Sequence, residues 1–165
     1  FSPQPETGRI DGGLGQVLRG KGDGTFLPLR LDQSGFLLPG DAKALAFTDL
    51  NGDARPEIIA TVNSSSPKVF LNKVTSGKPL VVRLIGSKGN LRGIGSRVTL
   101  HLKSGKSLVG EMASGSSYLT GGSPALFLAI PEGEEATGVT IRSPLGKVSK
   151  HEVPSGASQL ALQLD

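Results

Sequence analysis

Turn residues break this chain before any apolar run grows to helical length. Glycine (24) and proline (11) make up about a fifth of the 165 residues, with no collagen period. Between them lie short apolar stretches, several of strict period two. In 97–103, Val98, Leu100 and Leu102 point one way and Arg97, Thr99, His101 and Lys103 the other. No segment carries a helical stripe with caps at both ends. Such a chain can only fold as many short strands joined by tight turns, so the expected class is all-β. Aromatics are 4% and tryptophan is absent, which leaves Val, Leu, Ile and Ala to build the core. With no cysteine, neither disulfides nor thiolate metal sites can form. No run of about 18 apolar residues exists to span a membrane as a helix. The chain opens Phe1-Ser2-Pro3, without Met, a charged n-region or an apolar h-region, and reads as a piece of a longer protein.

Residues 1–15 read as a loop or frayed end. Strands are expected at 16–19 and 25–31, joined by the turn Gly20-Lys21-Gly22-Asp23-Gly24, with Pro28 marking an edge. After a turn at Pro39-Gly40-Asp41, the stretch 43–72 reads strand, polar loop, strand, turn, strand, a β-meander. A Thr/Ser/Gly/Pro stretch at 74–79 marks a boundary between a unit at 16–77 and one at 78–165. In the second unit, strands are expected at 80–85, 97–103, 107–112, 125–130, 138–142, 147–153 and 159–164. The charge changes at the same boundary. Residues 1–77 are neutral, and the whole net charge of +4 lies beyond them. Between Lys78 and Lys106 there are seven cations and no acid.

The densest chemical constellation is Asp49-Leu50-Asn51-Gly52-Asp53-Ala54-Arg55-Pro56-Glu57. Oxygen side chains recur at positions one, three, five and nine of this loop. Calcium is a hard cation that takes six to eight oxygens at roughly 2.3–2.6 Å. Asp49, Asn51, Asp53 and Glu57 with the carbonyl of Arg55 make a fitting set for a structural ion that neutralises like charges and pins two strands. The same residues also read as an acidic, solvated turn without an ion. An EF-hand is excluded, because position twelve is Ala60 and the flanks are strands.

With Lys21-Gly22-Asp23-Gly24-Thr25-Phe26 and Pro39-Gly40-Asp41, this loop resembles the FG-GAP/VCBS repeats of β-propellers. The resemblance covers 16–72. It departs at Ala54, where the repeats carry glycine, and at Glu57, where they carry Asp. It implies one propeller-blade-like β-meander with a calcium loop. Propellers close with about four to eight blades, so the unit resembles a final blade or a single remnant, and an open blade edge invites dimerisation.

Residues 78–153 resemble the ASPIC/UnbV domain, found after FG-GAP repeats in cartilage acidic protein and in many bacterial surface proteins; the likeness is strongest to the bacterial chains. It rests on Val82-Arg83-Leu84, Gly86 and the run Asn90-Leu91-Arg92-Gly93-Ile94-Gly95-Ser96-Arg97-Val98, which looks like the family's Asn-x-x-Gly-Ile-Gly-Ala-Arg-Val core. Glu111, Gly115-Ser116 and Tyr118-Leu119 continue it. Where the family carries Phe-Gly-Leu-Gly and Trp-Pro-x-Gly, this chain has Phe127-Leu128-Ala129-Ile130 and Ser143-Pro144-Leu145-Gly146. The resemblance implies a small antiparallel β-sandwich or barrel in an extracellular, periplasmic or cell-surface protein of adhesion or protein-binding type.

Enzyme signatures are missing. His101 and His151 stand alone in strands, there is no Gly-x-Ser-x-Gly elbow, and no His/Asp/Glu set has zinc spacing. Glu132, Glu134 and Glu135 sit in a Pro/Gly turn. The expected function is a non-enzymatic structural and interaction module with structural calcium, whose partner is a protein or glycan at a surface. The alternative is a carbohydrate- or polyanion-binding module using Lys88, Arg92, Arg97, His101, Lys103 and Lys106. The same cations also read as a solvated strand face that discourages edge pairing. Nucleic acid is not expected, because aromatic stacking platforms are lacking. The sequon Asn63-Ser64-Ser65 is expected to be only a hairpin tip.

Overall fold

The computed structural model describes residues 13–115 and 120–164. Most of the 1–15 loop, and Ser116, Tyr118 and Leu119, lie outside them. The elements are β1 (Leu18–Gly20), β2 (Phe26–Pro28), α1 (Leu31–Ser34), β3 (Ala42–Thr48), β4 (Glu57–Val62), β5 (Lys68–Phe70), β6 (Lys78–Ile85), β7 (Arg97–Leu102), β8 (Ser107–Glu111), β9 (Leu126–Ile130), β10 (Ala136–Arg142), β11 (Val148–His151) and β12 (Gln159–Gln163). The protein is all-β, and α1 is a single turn.

Two of the expected strands are corrected. The first is shifted to 18–20. The second ends at Pro28, and the chain then coils into α1, where the Arg30 N–H donates to the Gln33 side chain (3.0 Å) and Gly35 closes the turn at φ +63°. The hairpin β1-β2 forms a sheet of its own. Its turn is held by Asp23 Oδ1, which accepts from the N–H (2.9 Å) and hydroxyl (2.6 Å) of Thr25. The meander β3-β4-β5 is a separate antiparallel sheet. Phe36, Leu38 and Ala60 form a small core beside it, and the Phe36 and Phe70 rings lie 4.6 Å apart.

The second unit is a sandwich of two sheets, ordered β11-β10-β7-β8 and β12-β6-β9. It is not a closed barrel. Every second residue of β6 (Leu80, Val82, Leu84) and of β7 (Val98, Leu100, Leu102) is buried between the sheets, with Met112, Ile130, Val139, Ile141, Leu160 and Leu162. Fully burying one such side chain stabilises by about 1.5–3 kcal/mol. All pairings are antiparallel except β12 with β6. A parallel last strand was not expected, because its partner lies far away in sequence and period two says nothing of direction.

Gly93 explains the glycine-rich run before β7. Its φ is +62°, and a Cβ there would lie 2.7 Å from Leu164 and 2.9 Å from Leu84, so any side chain would be driven into the core. The two units also touch. Thr120 Oγ1 donates to the Leu45 carbonyl (2.8 Å) and the Ser123 N–H to the Phe47 carbonyl (3.0 Å). A segment of the sandwich thus covers the outer edge of β3. Gly122 allows the approach, since a Cβ there would meet the Phe47 carbonyl at 3.0 Å.

Next along the β7-β10 ladder after Arg97 and Arg142 stand Ser96 and Ser143. Their hydroxyls are buried and find no partner among the described residues. A buried hydroxyl without a hydrogen bond opposes folding. The change Ser96→Ala is therefore expected to stabilise the chain by about 1 kcal/mol, raising the midpoint in scanning calorimetry by about 3 °C.

Candidate functional site

The acidic loop fills the space between β3 and β4, and its side-chain oxygens are spent first on its own backbone. Asp49 accepts from the N–H of Gly52 (2.7 Å, Oδ1) and of Ala54 (2.9 Å, Oδ2). Asn51 Oδ1 accepts from the Asp53 N–H (3.1 Å), and Asp53 Oδ1 from the Arg55 N–H (2.8 Å). Each short polar side chain thus ties down the residues that follow it, which is why alternating Asp and Asn curl a loop. Ala54 takes the glycine-like conformation, φ +67°, and is buried. That costs about 1–2 kcal/mol for an L-residue, and the Asp49 bond to its N–H offsets part of it.

Glu57 stands apart. Its carboxyl group is fully buried at the start of β4. Oε2 accepts from the Leu50 N–H (2.9 Å), and Oε1 from the Asn72 N–H just past β5 (3.4 Å). One side chain therefore ties the loop to the far end of the meander. No cation pairs with Glu57 among the described residues. The nearest ion pair in the loop is Arg55 with Asp53, at 4.0 Å. Burying a carboxyl group costs free energy unless hydrogen bonds or positive charge offset it.

The donor set of this loop fits a hard divalent cation. Carboxylate and amide oxygens keep further lone pairs after one N–H bond each, which a divalent cation could take up. Among the described residues, however, no three acidic or histidine side chains already converge as an ion cage. Asp49, Asn51, Asp53, Glu57 and the Arg55 carbonyl are the groups that would hold calcium, whose contribution would be charge neutralisation.

The cations of 88–106 are divided between two ends of the sandwich. Lys88, Arg92 and Arg97 lie at the end where β6 finishes and β7 begins. Lys103 and Lys106 lie at the other, where Lys103 pairs with Glu135 (3.4 Å) and Glu134 accepts from the Ser104 N–H (3.3 Å). His101, between them, is engaged with the hydroxyls of Thr140 (2.8 Å) and Ser107 (3.3 Å). Register brings in cations the sequence could not associate. Arg142 of β10 stands directly opposite Arg97, and Lys147 lies in the turn that follows it. Only strand pairing reveals this, because Arg97 and Arg142 are far apart in the chain.

Residues 86–164 match the family described as ASPIC and UnbV. The C-terminal sandwich is therefore similar to the ASPIC/UnbV domain over those residues. The matched segment starts just after β6, yet β6 is the middle strand of one of its sheets and supplies three of its core residues. Residues 13–85 of the described chain, β6 included, lie outside the match. No curated protein matches the chain.

Two measurements test this account. In Glu57→Ala, the N–H groups of Leu50 and Asn72 lose their acceptor, at a cost of about 2–4 kcal/mol; urea unfolding is expected to show a lower midpoint at unchanged slope. At the other end of the meander, Asp41 accepts from Lys43 (2.6 Å) and from Asn63 (3.4 Å). The Lys43 hydrogen bond, then its charge, then Asn63, hold the Asp41 carboxyl below its ordinary value of 3.8. Since the folded value is depressed, the stabilisation is complete above that ordinary value and is lost as pH falls through the folded one. An NMR carboxyl titration is expected to place Asp41 below 3.8, and Lys43→Met to move it back up.

Proposed function

We propose that this chain is a non-enzymatic structural and interaction module of an exported or cell-surface protein, in which calcium pins an FG-GAP/VCBS-like meander and the ASPIC/UnbV domain presents loops to a partner. The observation that carries the calcium reading is Glu57, a buried acid that joins the loop to the end of β5 and has no cation beside it. An ion held by Asp49, Asn51, Asp53, Glu57 and the Arg55 carbonyl would add positive charge beside that buried group and would stiffen the whole meander at once. Its role is structural. The extracellular, periplasmic or surface location is supported by the family that residues 86–164 match.

The non-enzymatic reading is supported by where the titratable groups lie. The two histidines bond to hydroxyls of their own sheet, His101 to Thr140 and His151 to Ser149. Glu134 and Glu135 of the 131–135 turn brace the 103–106 turn. Of the two edges of the β3-β4-β5 sheet, β3 is covered by 120–123. That leaves β5, with Val69 and Leu71 exposed, as the edge through which two copies would pair.

Thermal unfolding with calcium against EDTA is the decisive experiment. A ligand that binds only the folded state at about 100 times its dissociation constant stabilises by roughly 2.7 kcal/mol, several degrees for a chain of this size. A calcium-specific rise that disappears in Asp53→Ala is expected. Equal midpoints at millimolar calcium and in EDTA would reduce the loop to a hydrogen-bonded turn.

A further inference from the structure

The two most exposed large apolar side chains among the described residues are Leu145, 92% exposed, and Leu91, 70% exposed. Both sit at loop tips at one end of the sandwich. Leu145 tops the β10-β11 turn, closed by Ser143 N–H to the Lys147 carbonyl (2.8 Å). Leu91 tops the 86–96 loop, braced where Asn90 bonds twice to the Ile94 backbone (2.8 and 2.9 Å) and the Gly86 N–H donates to the Leu91 carbonyl (3.0 Å). The two loops are in contact, since Gly95 of one abuts Pro144 of the other. Both leucines are therefore displayed on hydrogen-bonded loops.

Cations surround them. Lys88 and Arg92 flank Leu91, Lys147 follows Leu145, and Arg97 and Arg142 stand opposite one another on adjacent strands just below. All five are exposed, and none makes an ion pair among the described residues. Two arginines directly opposite repel each other, an arrangement that an anionic surface relieves. Among the described residues, the one acid on these strand ends is Glu111, across from Arg97. Apolar tips ringed by cations match a bilayer interface, where acyl chains take the tips and anionic headgroups the ring. A soluble polyanion would satisfy the ring but leave both leucines in water.

We infer that the Leu91–Leu145 end of the C-terminal sandwich is a peripheral docking face for a membrane surface rich in anionic lipid. This goes beyond the role of interaction module by naming the partner, and it is independent of the calcium loop, which lies in the other unit.

The test is cosedimentation of the whole chain in EDTA with vesicles of phosphatidylcholine alone, or with about a third phosphatidylglycerol. Binding is expected only to the anionic vesicles and to weaken with salt. The double variant Leu91→Ser, Leu145→Ser is expected to lose roughly tenfold or more in affinity while melting as the parent does. Arg97→Gln with Arg142→Gln is expected to weaken binding and flatten its salt dependence. Equal binding to both vesicle types would overturn the inference. So would a leucine double variant that binds as well as the parent, or a parent that binds dextran sulfate but not vesicles, which would make the face a reader of soluble polyanions. Because EDTA is present throughout, failure of the calcium reading leaves these outcomes unchanged.

Discussion

The apolar stripes of β6 and β7 face each other across the sandwich, and the remaining geometry of the second unit follows from that contact. Leu80, Val82 and Leu84 meet Val98, Leu100 and Leu102 with no charged side chain between them. The two strands belong to different sheets, so the short 86–96 segment has to cross from one to the other. The crossing succeeds because Gly93 carries no Cβ and lies against Leu84 and Leu164. Once it is made, the period of two sends Arg97, Thr99 and His101 to the opposite face. The 86–96 loop and the β10-β11 turn are then forced to the same end.

The first unit has no comparable core. A cluster of three buried residues, Phe36, Leu38 and Ala60, is too small to hold a three-stranded sheet alone. Polar ties take a larger share there. Asp23 closes the hairpin, Asp41 clamps the start of β3 to the 63–66 turn, Asp49 wraps the loop and Glu57 spans from loop to β5. The sandwich contributes the last tie by laying 120–123 along β3. A unit held mainly by carboxyl groups is sensitive to whatever alters their charge. That is the physical sense in which a cation would act as part of its structure.

The two halves thus divide the work by their chemistry. In the first unit the carboxyl groups organise backbone. In the second, Lys88, Arg92, Arg97, Arg142 and Lys147 are exposed at one end and make no ion pair among the described residues. The apolar tips at Leu91 and Leu145 belong to the same loops that carry Lys88, Arg92 and Lys147. The shape that exposes the leucines therefore also gathers the charge.

Much of this was legible in the residues. Alternation in 97–103 assigned each side chain of β7 to its face, because a strand allows no other phase. Gly/Pro punctuation placed most strand ends to within one or two residues. The Asp49–Glu57 spacing marked a curled, oxygen-lined loop, since Asp and Asn bond the backbone only a few residues away. Those are local effects, carried by neighbours in the chain. What the tertiary structure alone decided was non-local. Parallel pairing of β12 with β6, the cover over the β3 edge, the Glu57 bond to Asn72 and the meeting of Arg97 with Arg142 all join residues that no short-range pattern relates. Side-chain period reports which face a residue occupies; which strand lies beside it is settled only when the whole core closes.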